Sequence, residues 1–574
     1  MSNEPENTLP ATTLPVSDLL DQHDDRSANA TARPPAATIQ PPAAATNPAQ
    51  AARSGMLRNN VVVAAGTALS RLTGLIRVYA FARFVGQSAI ADAYNSANGS
   101  PNAIYELLLG GVLSASLIPM FTKQAEDEDE DATSAVFSVA MIAVTALTLV
   151  AVIAAPLVFR LFSVHVDAAA NPAIYRAAGT ALTRIFLVQI FFYGLTALAT
   201  SLLNAHRRFF AAAWSPVLAN VVIIAGLAIV PHVVDGKPQV GDILTNDKLK
   251  WTLALGATVG IAVMAASLVP AMRAAHIRLR FRPDFKHPAI SQLTKLSTWT
   301  LGYVVFNQIA AITMINLADP GTGHPDAYAK AYILFVLPHG LLAMSIATTF
   351  EPEMARNVKR RSRDGLIDVT SLGIRLVALL TFPAGLLMFT LRRPIVGFAL
   401  QHGNFTAANA LDTSRALGGF ALGLVGFSVY LFTLRAFYAH GDARTPFVIN
   451  VVENVINIVL GVALHGTFGV LGLGLSFAIA YLVSAVWALQ VLGYKVPGFP
   501  VGQVLAALAR MGVAALMMAE AAWIVARGVG GNTGWGSVGR ILAASVVGIA
   551  VYIATLVVVR APELDQLRRR LRRA

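Results

Sequence analysis

The chain has 574 residues, of which 55% are hydrophobic and 13% charged, with no cysteine, and its mean hydropathy is +0.60. Soluble domains carry roughly 25% charged residues, so most of this chain faces lipid; the missing thiols exclude a disulfide framework, thiol catalysis and cysteine-ligated metal or iron–sulfur sites. The net charge of +13 fits Lys and Arg gathered in cytoplasmic loops, and no basic face or recognition module accompanies it to suggest nucleic acid.

Residues 1–55 are rich in Ala, Pro, Thr and Asn, with acids at Glu4, Glu6, Asp18, Asp21, Asp24 and Asp25. They lack an apolar run long enough to pack and read as a disordered tail. No basic n-region with a short apolar core precedes Leu57–Val85, which therefore reads as a retained first span. Further spans are predicted near 88–121, 134–162, 178–204, 211–231, 251–272, 291–317, 327–350, 369–391, 409–438, 445–464, 468–492, 502–527 and 537–559. At about 20 apolar residues per crossing, this makes an all-α polytopic membrane protein of about fourteen spans.

With the N-terminus inside, the basic residues sort to one side: Arg207 and Arg208; Arg273, Arg278, Arg280, Arg282 and Lys286; Arg356, Lys359, Arg360, Arg361 and Arg363; and Arg568, Arg569, Arg570, Arg572 and Arg573. An even span count with both termini cytoplasmic follows. The acidic run Glu126–Asp131 falls on the same side and reads as a solvated loop, because acids contribute little to that rule.

Charges within spans are costly at the bilayer centre, by roughly 2.5–3.5 kcal/mol or more, and normally face a partner or a watery cavity. On the first span Arg71, Gly74 and Arg77 share an arc of about 120° with Thr67 and Ser70, opposite Leu69, Leu72, Leu75, Ile76 and Tyr79. Arg83, near the outer end, points elsewhere and reads as a snorkelling residue. On the second span Asp92, Asn95, Ser96, Gly99, Asn102, Glu106 and Gly110 share a similar arc. Pro101 there removes a backbone donor, which predicts a kink or opened turn at Gly99-Ser100-Pro101. Small and polar interface residues also glue membrane helices, and that reading suffices for Asn and Ser; two arginines and two acids on neighbouring helices favour a substrate cavity. Planar guanidinium donors suit phosphate, which makes a diphosphate-linked lipid a natural ligand of Arg71 and Arg77, with Asp92 holding one arginine or exchanging partners. Arg184, Lys330, Arg375, Arg415, Arg435 and Glu453 are further intramembrane candidates, several of them near span ends where anchoring explains them. His339, His402 and His440 form no ligand cluster. There is no P-loop, HExxH or supported GxSxG motif, so a transporter is expected rather than an enzyme.

The segment Ser70–Lys123 resembles the start of the lipid II flippase family, called MurJ or MviN. The resemblance rests on SRxxGxxR at Ser70–Arg77, Asp92 two residues before an aromatic, Pro101-Asn102, and the small-residue run ending in Pro119. It continues at Leu203-Asn204, Arg208-Phe209 and Pro216, at QHGNFT (Gln401–Thr406) and at RAFYAHGDARTP (Arg435–Pro446), covering nearly all of the chain after residue 57. The family lies in the multidrug, oligosaccharidyl-lipid and polysaccharide exporter superfamily. The resemblance implies two pseudo-symmetric six-helix lobes, here 56–272 and 287–492, two final helices in 502–559, and a basic tail at 560–574. It implies alternating access in a bacterial inner membrane: a central cationic cavity takes the head of lipid II from the inner leaflet and releases it to the outer, with the undecaprenyl tail beside the last two helices.

The family's important basic residues fall on Arg71 and Arg77, and its acidic site on Asp92. Another branch has arginines after the Pro-Asn pair, where this chain has Tyr105 and Glu106; Asn102 and Glu106 remain candidates by their place on the polar arc. That branch also has an acidic-basic pair after a Tyr-Ala in the eighth span, where Lys330 follows Tyr328-Ala329 here and is read as a substitute cation. A sodium site known in some relatives maps onto Asn450 and Asn454, which interhelical bonding equally explains; sodium or the membrane potential is the expected driving force, with no other cofactor. Competing readings are an exporter of another polyprenyl-linked oligosaccharide or of drugs, a membrane enzyme acting on polyprenyl phosphate, and a scaffold that recruits cell-wall synthesis or division proteins through the tail.

Overall fold

The computed structural model describes residues 48–106, 114–127, 129–285 and 298–560, apart from the side chains of 48–62, 114–116, 118–119 and 298–300. Most of the expected acidic tail, Gly110, Lys286 and the basic C-terminal tail lie outside the described residues. Met1–Met56 and Leu57–Ala574 form separate units.

The described residues hold helices and no strand. In chain order they are α1 (Pro48–Phe84), α2 (Ala89–Tyr105), α3 (Ser114–Glu126), α4 (Glu130–Ile153), α5 (Ala155–Leu161), α6 (Pro172–Phe186), α7 (Gln189–Ala205), α8 (Phe209–Ile229), the single turn α9 (Asp242–Thr245), α10 (Asp247–Ala266) and α11 (Leu268–Ala274). The second half has α12 (Thr298–Leu317), α13 (His324–Pro338), α14 (Met344–Lys359), α15 (Arg363–Thr390), α16 (Arg392–Leu400), α17 (Ala407–Leu422), α18 (Leu424–Ala439), α19 (Arg444–Phe468), α20 (Val470–Lys495), α21 (Val501–Gly528) and α22 (Gly534–Val558). Local chemistry sets several starts: Asp129 accepts from the Ala132 N–H at 2.8 Å, Asn246 from Leu249 at 3.0 Å, and Thr406 with Asn409 closes a capping box.

Ten helical segments among the described residues are long and apolar enough to cross a membrane, or eleven if α17 and α18, bent by 47°, make one span. The three remaining expected spans fall on α1, on α2 with α3, and on α12, whose 301–317 stretch is apolar but short. The polar residues that make the first two interesting are those that lower their hydropathy. The exposure pattern is inverted relative to a soluble protein: Ile153, Val462, Leu516 and Val546 are 80, 61, 61 and 67% exposed, while Asp92, Asp326, Lys330 and Glu453 are 3% exposed or less. Lipid replaces water as the outer solvent, so charge moves inward.

The expected opening at Gly99-Ser100-Pro101 is absent: α2 runs through Pro101 to Tyr105. Proline leaves the carbonyl four residues back without its usual donor, and the Ser100 hydroxyl donates to that Ala97 carbonyl at 2.7 Å. The neighbouring hydroxyl thus satisfies the group that proline orphans.

Helices of the first half pair among themselves, α8 with α10, α2 with α6 and α3 with α7; those of the second half do likewise, α19 with α20, α17 with α20 and α12 with α19. The α17–α20 crossing is close because both helices carry glycine there: a Cβ on Gly419 would lie 2.7 Å from the Gly474 backbone. An aromatic cluster fills the second half, with Phe335 stacked on Phe420 at 5.5 Å and Phe477 against Tyr481 at 4.4 Å. α21 and α22 form a hairpin, and α21 lies along α15. At the α18–α19 joint, burial acts to raise the Asp442 pKa, but hydrogen bonds from Lys495 and Thr445 outweigh it and hold the carboxyl at about 2.

Candidate functional site

Asp92 sits in the first turn of α2, fully buried, and its partners are backbone amides. Its Oδ2 accepts from the N–H groups of Gly321 at 3.0 Å and Gly323 at 2.7 Å, and Oδ1 accepts from Asp326 N–H at 2.9 Å. Gly321 and Gly323 have φ of 103° and 90°, a backbone geometry glycine adopts without a Cβ penalty, which turns their amides toward the carboxylate. Asp92 thereby caps the start of α13 from another part of the chain. The arginine pairing expected of it does not occur in this conformation.

Asp326 stands one step further. Its Oδ1 accepts from Asn95 Nδ2 at 2.6 Å, and its Oδ2 forms an ion pair with Lys330, one helical turn along α13. Lys330 also lies 5.0 Å from the Phe81 ring centre and 5.6 Å from that of Phe405, so its charge is met by a carboxylate and two aromatic faces. Sequence reasoning missed Asp326. An Asp four residues before a Lys on a predicted helix was the available signal.

These residues border a cavity of about 80 Å³ whose lining includes Arg77, Asn95, Asn98, Asp326 and Lys330. Arg77 and Arg71 are half-buried, and among the described residues neither pairs with a carboxylate. The Arg71 guanidinium lies against Gly340, within a π-helical turn, His339–Ala343, that interrupts the run from α13 to α14. Gly340→Ala would put a methyl group where the guanidinium now lies. The flexible tip of the arginine yields, so this substitution is expected to change the melting temperature little while lowering transport to near the level of Arg71→Ala, read at matched protein levels.

The other candidates lie apart from this cavity lining. Asn102 donates to the Asn98 carbonyl of its own helix at 3.4 Å, and Glu106 is exposed and accepts from Gln308 on α12 at 2.5 Å. Asn450 and Asn454 both donate to Asn307 Oδ1, at 3.0 and 3.1 Å. Beside them, Asn450 Oδ1 and both Glu453 oxygens are buried without hydrogen-bond partners among the described residues. Unpartnered amide and carboxylate oxygens fit a hard monovalent cation, with Glu453 rather than Asn454 as the oxygen-rich neighbour of Asn450.

Around Asp92, loops from both halves are joined. Asn404 donates from its backbone N–H to Arg83 O at 2.9 Å and from its side chain to Phe84 O at 2.8 Å, while Thr413 donates to Gln87 at 3.0 Å. Asn316 accepts from Val164 N–H at 2.7 Å and donates to Leu161 O at 2.7 Å, and Asp167 N–H donates to Pro320 O at 2.9 Å. This end of the bundle is laced shut. The QHGNFT segment, notable in the sequence only as a resemblance, supplies Asn404.

A family profile described as lipid II flippase MurJ matches residues 81–558. The chain belongs to the lipid II flippase MurJ family. Among MurJ relatives, the probable lipid II flippase MurJ of Rhizobium meliloti (strain 1021) is 25% identical over 473 residues, covering 82% of this chain and 86% of its own length. The lipid II flippase MurJ of Burkholderia cenocepacia is 29% identical over 403 residues, covering 68% of this chain and 75% of its own. In fold, the chain is similar to a lipid II flippase MurJ solved in an inward closed conformation, with TM-score 0.71 at 22% identity over 87% of this chain and 99% of that one. An inward-facing multidrug resistance MATE family transporter of the MOP superfamily is similar more loosely, with TM-score 0.53 at 14% identity over 78% and 95%. The MurJ fold therefore frames the cavity and the laced end.

Proposed function

We propose that this protein flips lipid II from the inner to the outer leaflet of a bacterial inner membrane, with both termini cytoplasmic, by alternating access around Arg71 and Arg77. Membership of the MurJ family supports the substrate. The observation that carries the site is two half-buried arginines on one face of α1 with no carboxylate partner among the described residues, since a guanidinium held inside a membrane bundle calls for an anion. The planar donors of each can grip two oxygens of a diphosphate.

Asp92, Asn316 and Asn404 hold the far end closed while the head enters from the other side. Each net hydrogen bond contributes about 1 kcal/mol, so the closed end is stabilised by several kcal/mol, and the bound head must favour the opposite conformation by a comparable amount for the cycle to turn. Lys330, held to Asp326, offers the cavity wall an ammonium donor rather than a net positive charge. A sodium ion, as a candidate coupling ion, would be held by Asn450 and Glu453 and would neutralise the buried carboxylate. Cell-wall synthesis proteins are the candidate partners of the N-terminal tail.

Depletion and rescue tests the reading. In cells lacking their own lipid II flippase, the wild-type chain is expected to restore outer-leaflet lipid II, and Arg71→Ala and Arg77→Ala at equal membrane levels are each expected to slow its delivery by about a hundredfold or more, as loss of two charge-assisted contacts at about 1.5–3 kcal/mol each implies. Failure of a well-expressed wild type to rescue would exclude lipid II as substrate; normal function of both variants would make the arginines structural.

A further inference from the structure

A wide cavity lies away from Arg71 and Arg77. It is a groove of about 820 Å³ between the end of α15, the start of α16 and the α21–α22 hairpin. It sits at the opposite end of α15 from the basic loop 356–363, and α16 leads from it into the QHGNFT segment of the laced end. Arg392, Arg393, Arg527 and Arg540 line it, against a single acid, Glu520.

The arginines differ in what occupies them. Arg540 is spent on the hairpin loop, with Nε donating to Val529 O at 2.8 Å, Nη1 to Asn532 at 2.6 Å and Nη2 to Gly530 O. Arg392 gives one nitrogen to Phe389 O at 2.6 Å and lies over the Phe389 ring. Arg527 stacks on Trp523, its Cζ 3.5 Å from the ring centre, leaving its donor edges unused. Arg393 and Arg527 are exposed, and among the described residues no carboxylate pairs with either.

The groove also continues into an apolar slot of about 190 Å³. Leu386, Leu422 and Leu516 belong to both, and Gly385 and Gly512 line the slot. On the outer face of α21, Leu516 is 61% and Ile524 59% exposed, so slot and groove open beside a lipid-facing surface. An arginine cluster at one end and, at the other, a slot whose one polar side chain, Thr381, is spent on the Val377 carbonyl at 2.7 Å match a molecule with a phosphate head and a hydrocarbon chain.

We infer that this groove binds the phosphate head of a membrane lipid, with Arg393 and Arg527 gripping the phosphate, Arg392 beside them, and the chain lying in the slot between α15 and α21. The phosphate belongs either to a resident anionic phospholipid or to a polyprenyl diphosphate leaving by this face. Glu520 lies on the same wall and weakens phosphate binding. Occupation by a phospholipid is independent of the substrate assigned to the central cavity, whereas occupation by a polyprenyl diphosphate rests on that assignment.

Native mass spectrometry of the full-length protein tests it, in an Arg77→Gln background that removes the central phosphate ligand. The probes are phosphatidylglycerol, phosphatidylcholine and a polyprenyl diphosphate. The groove is expected to retain phosphatidylglycerol over phosphatidylcholine, and Arg393→Gln with Arg527→Gln to cut that preference about tenfold at an unchanged melting temperature, since both side chains are exposed. Glu520→Gln is expected to raise retention, a change no misfolded variant would give. Displacement of phosphatidylglycerol by the polyprenyl diphosphate at lower concentration assigns the site to the latter; the reverse order assigns it to the phospholipid. Equal retention of phosphatidylcholine, or a preference unmoved by the arginine and Glu520 substitutions, overturns the proposal.

Discussion

Replacing Asp92 with alanine is expected to open and destabilise the laced end of the bundle rather than merely weaken substrate binding. The carboxylate accepts three backbone N–H groups at 2.7 to 3.0 Å, and each buried donor left without a partner costs about 1–3 kcal/mol. A loss of several kcal/mol follows, concentrated where α2 meets the start of α13. The melting temperature of purified Asp92→Ala should fall by many degrees, and Asp92→Asn, which keeps one acceptor oxygen, should fall between it and wild type. Because the chain has no cysteine, a Ser96→Cys reporter, buried at 3% exposure, can read the same event. It should react about tenfold faster with a water-soluble thiol reagent in the Asp92→Ala background. Unchanged melting together with unchanged reactivity would show that Asp92 does not hold the end closed.

The second large effect belongs to Lys330. Lys330→Met leaves the Asp326 carboxylate buried with only Asn95 and no cation, and breaking a buried pair from one side costs about 3–5 kcal/mol. Lys330→Met alone should accumulate poorly and melt early. The double variant Asp326→Asn with Lys330→Met removes both charges and should regain most of that stability. It should nevertheless remain defective in lipid II delivery, because the ammonium donor on the cavity wall is gone although the net charge of the wall is unchanged. A double variant that both folds and transports would reduce Lys330 to the structural partner of Asp326, while one that stays unstable would mean that the aromatic faces of Phe81 and Phe405, not Asp326, set the position of the lysine.

The arc arithmetic on α1 and α2 identified Arg71, Arg77 and Asp92 as inward-facing because helical rotation is a local property, the same in any packing. It could not say what each would meet. Asp92 meets amides of a loop more than two hundred residues away, whose glycines give no periodic signal. Asp326 escaped notice because it lies in the first turn of α13, where an acid is ordinary helix-start chemistry. The same rotation put Asn102 and Glu106 on the polar arc, yet their partners are a carbonyl of the same helix and Gln308. Pro101 opens no turn because the effect of a proline depends on whether a neighbour replaces the lost bond, and Ser100 does.

What the sequence by itself determined is what depends on solvent and local geometry: a helical membrane protein, its long apolar helices, and a polar face on its first two helices. Bilayer thickness and the cost of an unpaired backbone group leave few other ways to bury so apolar a chain. The tertiary structure alone decided which polar groups spend themselves on one another and which stay available. Asp92 and Lys330 are held by partners from packing and helix pitch, whereas Arg71, Arg77, Arg393 and Arg527 keep guanidinium groups without a carboxylate partner among the described residues. That division is set by contacts between distant segments, and the energy of a buried charge depends on those contacts more than on the residue itself.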